Sequence, residues 1–145
     1  MRIFLFIAIS FLMICCDAPT STQTEDVRET ILKLIDADNR SDLKTVLECY
    51  SDTIAFYPIG RQSISGIAAV RKSYEELFSK SKLNLATQIL DIKIFEDEAL
   101  VKGLNTGSKT NRMDSSVAPL HDNYIALLVK GESGKWKITK LIWGF

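Results

Sequence analysis

The segment TIAFYPIGRQSISGIAAV, residues 53–70, decides the fold class. Its first five residues are β-branched or aromatic apart from Ala55, and they read as a strand. Pro58 and Gly60 end it, because proline cannot donate to a ladder and a Pro-x-Gly step favours a turn. Gly66 then opens a helix in which Ile67, Val70, Tyr74, Leu77 and Phe78 share one face, while Arg71, Lys72, Glu75 and Glu76 point outward. A strand is thus inserted among helices.

Upstream, Val27, Ile31, Leu34 and Ile35 fall at helical spacing, with Thr22-Gln23-Thr24-Glu25 as a capping box. This first helix ends near Asp38-Asn39-Arg40. Ser41 caps a second, short helix whose stripe is Leu43, Val46, Leu47 and Tyr50. Cys49 sits at the edge of that stripe and reads as a packed structural thiol, since free cysteine behaves as a small hydrophobe.

Downstream the period changes from 3.6 to two. Leu90, Ile92 and Ile94 alternate with Asp91 and Lys93, as in a half-buried strand. Glu96-Asp97-Glu98 turns into a second strand at 99–104. Residues 107–116 are polar and read as a loop or a mobile strand connection. Residues 124–129 are continuously apolar, as in a strand covered on both faces. Residues 130–134 form a hairpin turn; their glycines do not make a phosphate loop, because no helix follows. In the last strand, 135–143, strict alternation puts Trp136, Ile138 and Ile142 on one face and Leu141 and Trp143 on the other. Both faces are then apolar near the C-terminus. One takes the helices and the second calls for another cover, such as a partner subunit.

The chain has 145 residues, the size of one domain. Lys plus Arg number 18 and Asp plus Glu 18, so no cationic surplus exists for nucleic acid. With 46% hydrophobic residues it can build a core.

The first sixteen residues, MRIFLFIAISFLMICC, stand apart. Arg2 is their only charge, and the apolar run from Ile3 to Cys16 is interrupted only by Ser10. It is shorter than the ~20 residues of a membrane-spanning helix. A cationic start and a short apolar run followed by polar residues is secretory-signal grammar. Ending in cysteine, it resembles a bacterial lipoprotein signal, which implies acylation of Cys16 or, in the alternative register, Cys15. Residues 17–24, DAPTSTQT, become the tether, and 25–145 the domain. The implied location is the cell envelope, exported and lipid-anchored at the periplasmic face or outer membrane. Asn39-Arg40-Ser41 matches a glycosylation acceptor, a coincidence behind such a leader.

The order of the segments resembles the nuclear transport factor 2-like superfamily, in particular its SnoaL-like branch. The matching stretches are Asn39-Arg40-Ser41-Asp42-Leu43, Tyr50-Ser51-Asp52-Thr53-Ile54, Tyr57-Pro58-Ile59-Gly60 and Ser65-Gly66-Ile67-Ala68-Ala69-Val70-Arg71. They continue with Asp97-Glu98-Ala99-Leu100-Val101 and Gly134-Lys135-Trp136-Lys137-Ile138, closing on Trp143. The resemblance implies an α+β, cone-shaped roll: three N-terminal helices packed on a strongly curved, mainly antiparallel sheet, with a pocket between, and a homodimer. Members include steroid isomerases, polyketide cyclases, dehydratases and epoxide hydrolases beside many that only bind, so the fold does not fix the chemistry.

In the ketosteroid isomerase relatives a carboxylate before the Pro-x-Gly turn is the general base. Tyr57 holds that place here, and a phenol titrating near ~10 does not serve as a base at neutral pH. Their oxyanion tyrosine on the first helix is matched by Leu34. The remaining acid/base candidates are His121, the only histidine, and Asp122; adjacent on a strand, they face opposite sides unless a bulge turns one. Tyr57, Tyr74 and Trp143 are the candidate pocket lining. One histidine without a Cys pair gives no metal site, and no cofactor motif occurs. The expectation is a lipid-anchored module binding a small, mainly apolar molecule, without evident catalysis. The alternatives are a SnoaL-like isomerase, cyclase or hydrolase with a pocket acid/base, and a dimeric interaction module.

Overall fold

The computed structural model describes residues 21–145; the leader, Cys15 and Cys16 lie outside the described residues. The element order is α1 (Ser21–Arg40), α2 (Leu43–Cys49), β1 (Tyr50–Pro58), β2 (Ile64–Ser65), α3 (Ile67–Lys80), β3 (Ser81–Phe95), β4 (Glu98–Asn111), β5 (Val117–Lys130) and β6 (Trp136–Trp143). Helix α1 starts inside the stretch expected to be tether, so Thr22 to Glu25 are already helical.

Helix α1 buries Val27, Ile31, Leu34, Ala37 and Asp38 along one stripe. It ends in a two-bond cap: the Asp42 amide donates to the Ala37 carbonyl and the Ser41 amide to the Asp38 carbonyl, with Ser41 at φ 55°. The expected cap of α2, Ser41, is thus the connector. Asp42 is the N-cap, accepting from the Thr45 amide at 3.1 Å and the Thr45 hydroxyl at 2.7 Å.

The strands form one mixed sheet in the order β2-β1-β6-β5-β4-β3, with β1 parallel to β6 and every other pair antiparallel. The helices and the mainly antiparallel pairing are as expected; the strongly curved cone is not, because the sheet is not strongly curled. Sharp bends need bulges; the long β4–β5 pairing has none, and the β3–β4, β5–β6 and β1–β6 pairings shift register once each. Strands β2 and β3 remain open edges.

Two further expectations change. The polar stretch 107–116 is strand through Asn111, and β5 begins at Val117, leaving only a tight turn between. Trp136 and Trp143 lie on the same face, because β5 pairs Leu128 with Ile138 but Leu127 with Lys140. Thr139 is the extra residue, and it slips the alternation by one. Trp143, Leu141, Ile138 and Trp136 therefore all stand opposite the helix-facing Tyr124, Ala126, Leu128 and Lys130 positions of β5, and all four pack with the core.

Val27, Val46, Val70, Val101, Ala126 and Ile138 are wholly buried between helices and sheet. Full burial of one such larger aliphatic side chain stabilises by about 1.5–3 kcal/mol. Asn39 adds a directional tie: its amide donates to the Leu85 carbonyl at 2.8 Å and accepts from the Leu85 amide at 2.7 Å. One side chain thus satisfies a residue of edge strand β3 and fixes the end of α1 over it.

Candidate active site

Beyond the solid part of the core, helices and sheet separate around a cavity of about 300 Å³. Helix α1 supplies Ile31, Leu34 and Asp38; β1 supplies Tyr50 and Phe56; α3 supplies Tyr74 and Leu77. The sheet supplies Leu83, Leu85, Asn105, Asp122, Tyr124, Leu141 and Trp143. Aromatic rings brace the wall edge to face, with Phe56 5.3 Å from both Tyr50 and Trp143. Tyr124 lies across Gly103, where a Cβ would collide with its ring, and its hydroxyl meets Thr87 Oγ1 at 3.1 Å.

Asp38 is the chemical centre. It is 7% exposed, and its Oδ1 is buried without a hydrogen-bond partner among the described residues. Burial pushes its carboxyl up to about 7, and a hydrogen bond from Tyr74 pulls the other way. The Tyr74 and Tyr50 hydroxyls are 2.8 Å apart. The interaction with Tyr74 favours the ionised carboxylate, and the Tyr50 hydroxyl stands against that of Tyr74 on the far side. Burial, then the Asp38 charge, raise both phenols well above 10, so they act as neutral donors and not as bases. A carboxyl balanced near neutrality beside a cavity can take a proton or give one.

Of the residues expected at the site, Tyr74, Trp143 and Asp122 line the cavity and Tyr57 and His121 do not. Tyr57 is 41% exposed and pairs with Ile142 on the far face of the sheet, because Phe56 is the residue of β1 that turns inward. His121 is exposed opposite Thr106, whereas Asp122 stands opposite Asn105 on the cavity side. No group of three or more His, Cys, Asp or Glu among the described residues could hold a metal. The Cys49 thiol, pushed up to about 11 by burial, donates to the Thr45 carbonyl at 3.3 Å and faces away from this chemistry.

The expected binding module without catalysis is corrected by this geometry: a buried carboxyl with a free oxygen and two hydroxyls behind it is acid/base equipment, not apolar lining. Asp38 carries a signal in the sequence. It follows Val27, Ile31 and Leu34 at helical spacing, so an acid falls on the buried stripe where a leucine belongs. A second cleft of about 330 Å³ lies between α1 and the start of β6. Its charged side chains are largely exposed and partly neutralise one another, as in the 3.2 Å pair of Lys33 with Glu48, and it holds no comparable group.

Neither a protein-family model nor a curated protein matches the sequence. Solved structures do match the fold. A ketosteroid isomerase-like protein from Erwinia carotovora atroseptica SCRI1043 superposes with a TM-score of 0.79 at 22% identity, over 86% of this chain and 96% of that one. A nuclear transport factor 2-like superfamily protein from Salmonella enterica serovar Typhimurium LT2 gives 0.77 at 13% identity, over 87% and 92%. A candidate dehydratase of the same family from Streptomyces avermitilis gives 0.73 at 15% identity, over 86% and 97%. The chain therefore has the nuclear transport factor 2-like fold.

Proposed function

We propose that this protein is a SnoaL-like enzyme, an isomerase, cyclase or hydrolase that moves a proton on a small, largely apolar substrate with Asp38 as general acid/base. The observation that carries this is the buried Asp38 carboxyl in the cavity wall, its Oδ1 without a hydrogen-bond partner among the described residues and the Tyr74–Tyr50 pair beside it. Near pH 7 both of its protonation states are populated. The ionised form accepts a proton from substrate held against the aromatic wall. Once Asp38 holds that proton, the neutral Tyr74 hydroxyl, which accepts from Tyr50, turns its hydrogen to whichever oxygen gains charge, and the apolar walls keep water from competing. His121, on the opposite face, takes no part. The isomerase-like and dehydratase names of two proteins of this fold agree with such chemistry.

A direct test is α-proton exchange of 2-tetralone in D₂O, followed by NMR. The protein should accelerate exchange over buffer, and Asp38→Asn should remove about 10²-fold or more of that acceleration. No acceleration by the wild type, or full activity in Asp38→Asn, would contradict the assignment.

The same proposal covers the setting of the enzyme. The leader supports export and acylation at Cys16, with Cys15 as the other register, which would be lost as labelled palmitate incorporation in the double Cys15→Ser/Cys16→Ser variant. The outer sheet face, where Tyr57, Ile142, Ile125 and Leu127 lie together, supports a homodimer; a monomer by sedimentation would remove it.

A further inference from the structure

We infer that the cross-strand pair Asn105 and Asp122 forms a hydroxyl-reading platform in the cavity, so that the substrate is an alcohol or phenol on a mainly apolar body. The two residues are directly opposed in the β4–β5 register and both line the cavity. Opposed side chains of an antiparallel pair have Cβ atoms about 4.5–5.5 Å apart, close enough for two acceptors to meet one hydroxyl or two adjacent ones. Asn105 Oδ1 is buried and has no hydrogen-bond partner among the described residues.

The surroundings explain why nothing in the protein answers it. Along the cavity face of β4 the neighbours of Asn105 are Gly103 and Gly107, neither with a side chain. On its β3 side the opposed residue is Thr87, whose hydroxyl is engaged with Tyr124. Asp122 is half-buried and makes no ion pair among the described residues. A carboxylate and an amide oxygen are both acceptors, so the partner they fit is a donor. A ligand hydroxyl supplies that donor, whereas an ether or a hydrocarbon of the same shape leaves the acceptors unanswered.

This deepens the acid/base reading by naming a substrate class, and it is tested by binding alone, so it stands or falls separately from turnover. The probes are 2-naphthol and 2-methoxynaphthalene, equal in ring and different in the donor, titrated by calorimetry. The wild type should prefer 2-naphthol by about tenfold or more. Asn105→Leu and Asp122→Leu should each shrink that preference to about threefold or less, while Glu76→Ala, on the exposed side of α3, keeps it. Asn105→Leu should also melt no lower than the wild type, because it removes a buried acceptor that holds nothing in the fold. Binding of neither probe, equal binding of both by the wild type, or the full preference in either leucine variant would overturn the inference. So would loss of the preference in Glu76→Ala, or a melting point several degrees lower in Asn105→Leu, the mark of a structural amide.

Discussion

The two ends of the central strands do different work. At one end Val101 and Ile138 are wholly buried, and Leu128 nearly so, with apolar partners above them. At the other end the same strands present Asn105, Asp122, Tyr124 and Trp143 to a cavity. Two of the three buried side-chain polar atoms without partners among the described residues, on Asp38 and Asn105, lie at the cavity end; the third is the Trp136 indole nitrogen at the second cleft. One half of the layer holds the fold together. The other is kept polar at a cost to stability, which is intelligible where a ligand supplies the missing partners.

The sharpest way to break this contrast is truncation in each half. Ile138→Ala should cost about 2–5 kcal/mol in urea denaturation, since close packing leaves an unfilled hole. Leu120→Ala, at the half-exposed cavity wall, should cost under about 1 kcal/mol. Equal losses would mean that the cavity end is as tightly packed as the core.

Asp38→Asn should have the opposite sign. The folded carboxyl is raised from its ordinary value to about 7, so its contribution is fully present below pH ~4. It is lost as pH rises through about 7, because the fold must then hold an ionised carboxylate away from water. At pH 8 the variant should therefore be more stable than the wild type, by up to about 4 kcal/mol as an upper bound. The gap should close below pH ~4. A wild type more stable than the variant at pH 8 would contradict the burial argument.

Smaller effects separate structure from chemistry. Asn39→Ala removes both bonds to Leu85 and should cost about 1–3 kcal/mol, with faster hydrogen exchange confined to the β3 edge. Tyr50→Phe removes the outer hydroxyl of the pair and should slow turnover several-fold with a shifted pH profile. Glu76→Ala, which breaks the exposed 2.6 Å pair with Lys80, should change stability by no more than about 0.5 kcal/mol.

The contrast also explains what could be read in the sequence. The solid half was legible: the helical stripe from Val27 to Leu34, the alternation of Ile92 and Ile94, and the turns at Pro58 and Gly131 all obey the periods of regular structure. The cavity half was not. Residues 107–111 read as loop because a strand facing an opening carries no apolar alternation. Trp143 was given the wrong face because a single extra residue, Thr139, leaves no mark in composition. Asp38 read as a helix terminator because acid-Asn-Arg is ordinary where a helix ends; only its place on the buried stripe distinguishes it. Tyr57 drew attention through its position before Pro58, yet Phe56 is the ring that turns inward.

The central claim is that Asp38 is a buried carboxyl held near neutrality beside the cavity. It is tested most directly by following the ¹³Cγ chemical shift of Asp38 through a pH titration, assigned with the Asp38→Asn variant. The account predicts a midpoint near 7, moving upward in Tyr74→Phe, where the hydrogen bond that favours the ionised form is gone. A midpoint in the ordinary aspartate range, near ~4, would contradict it.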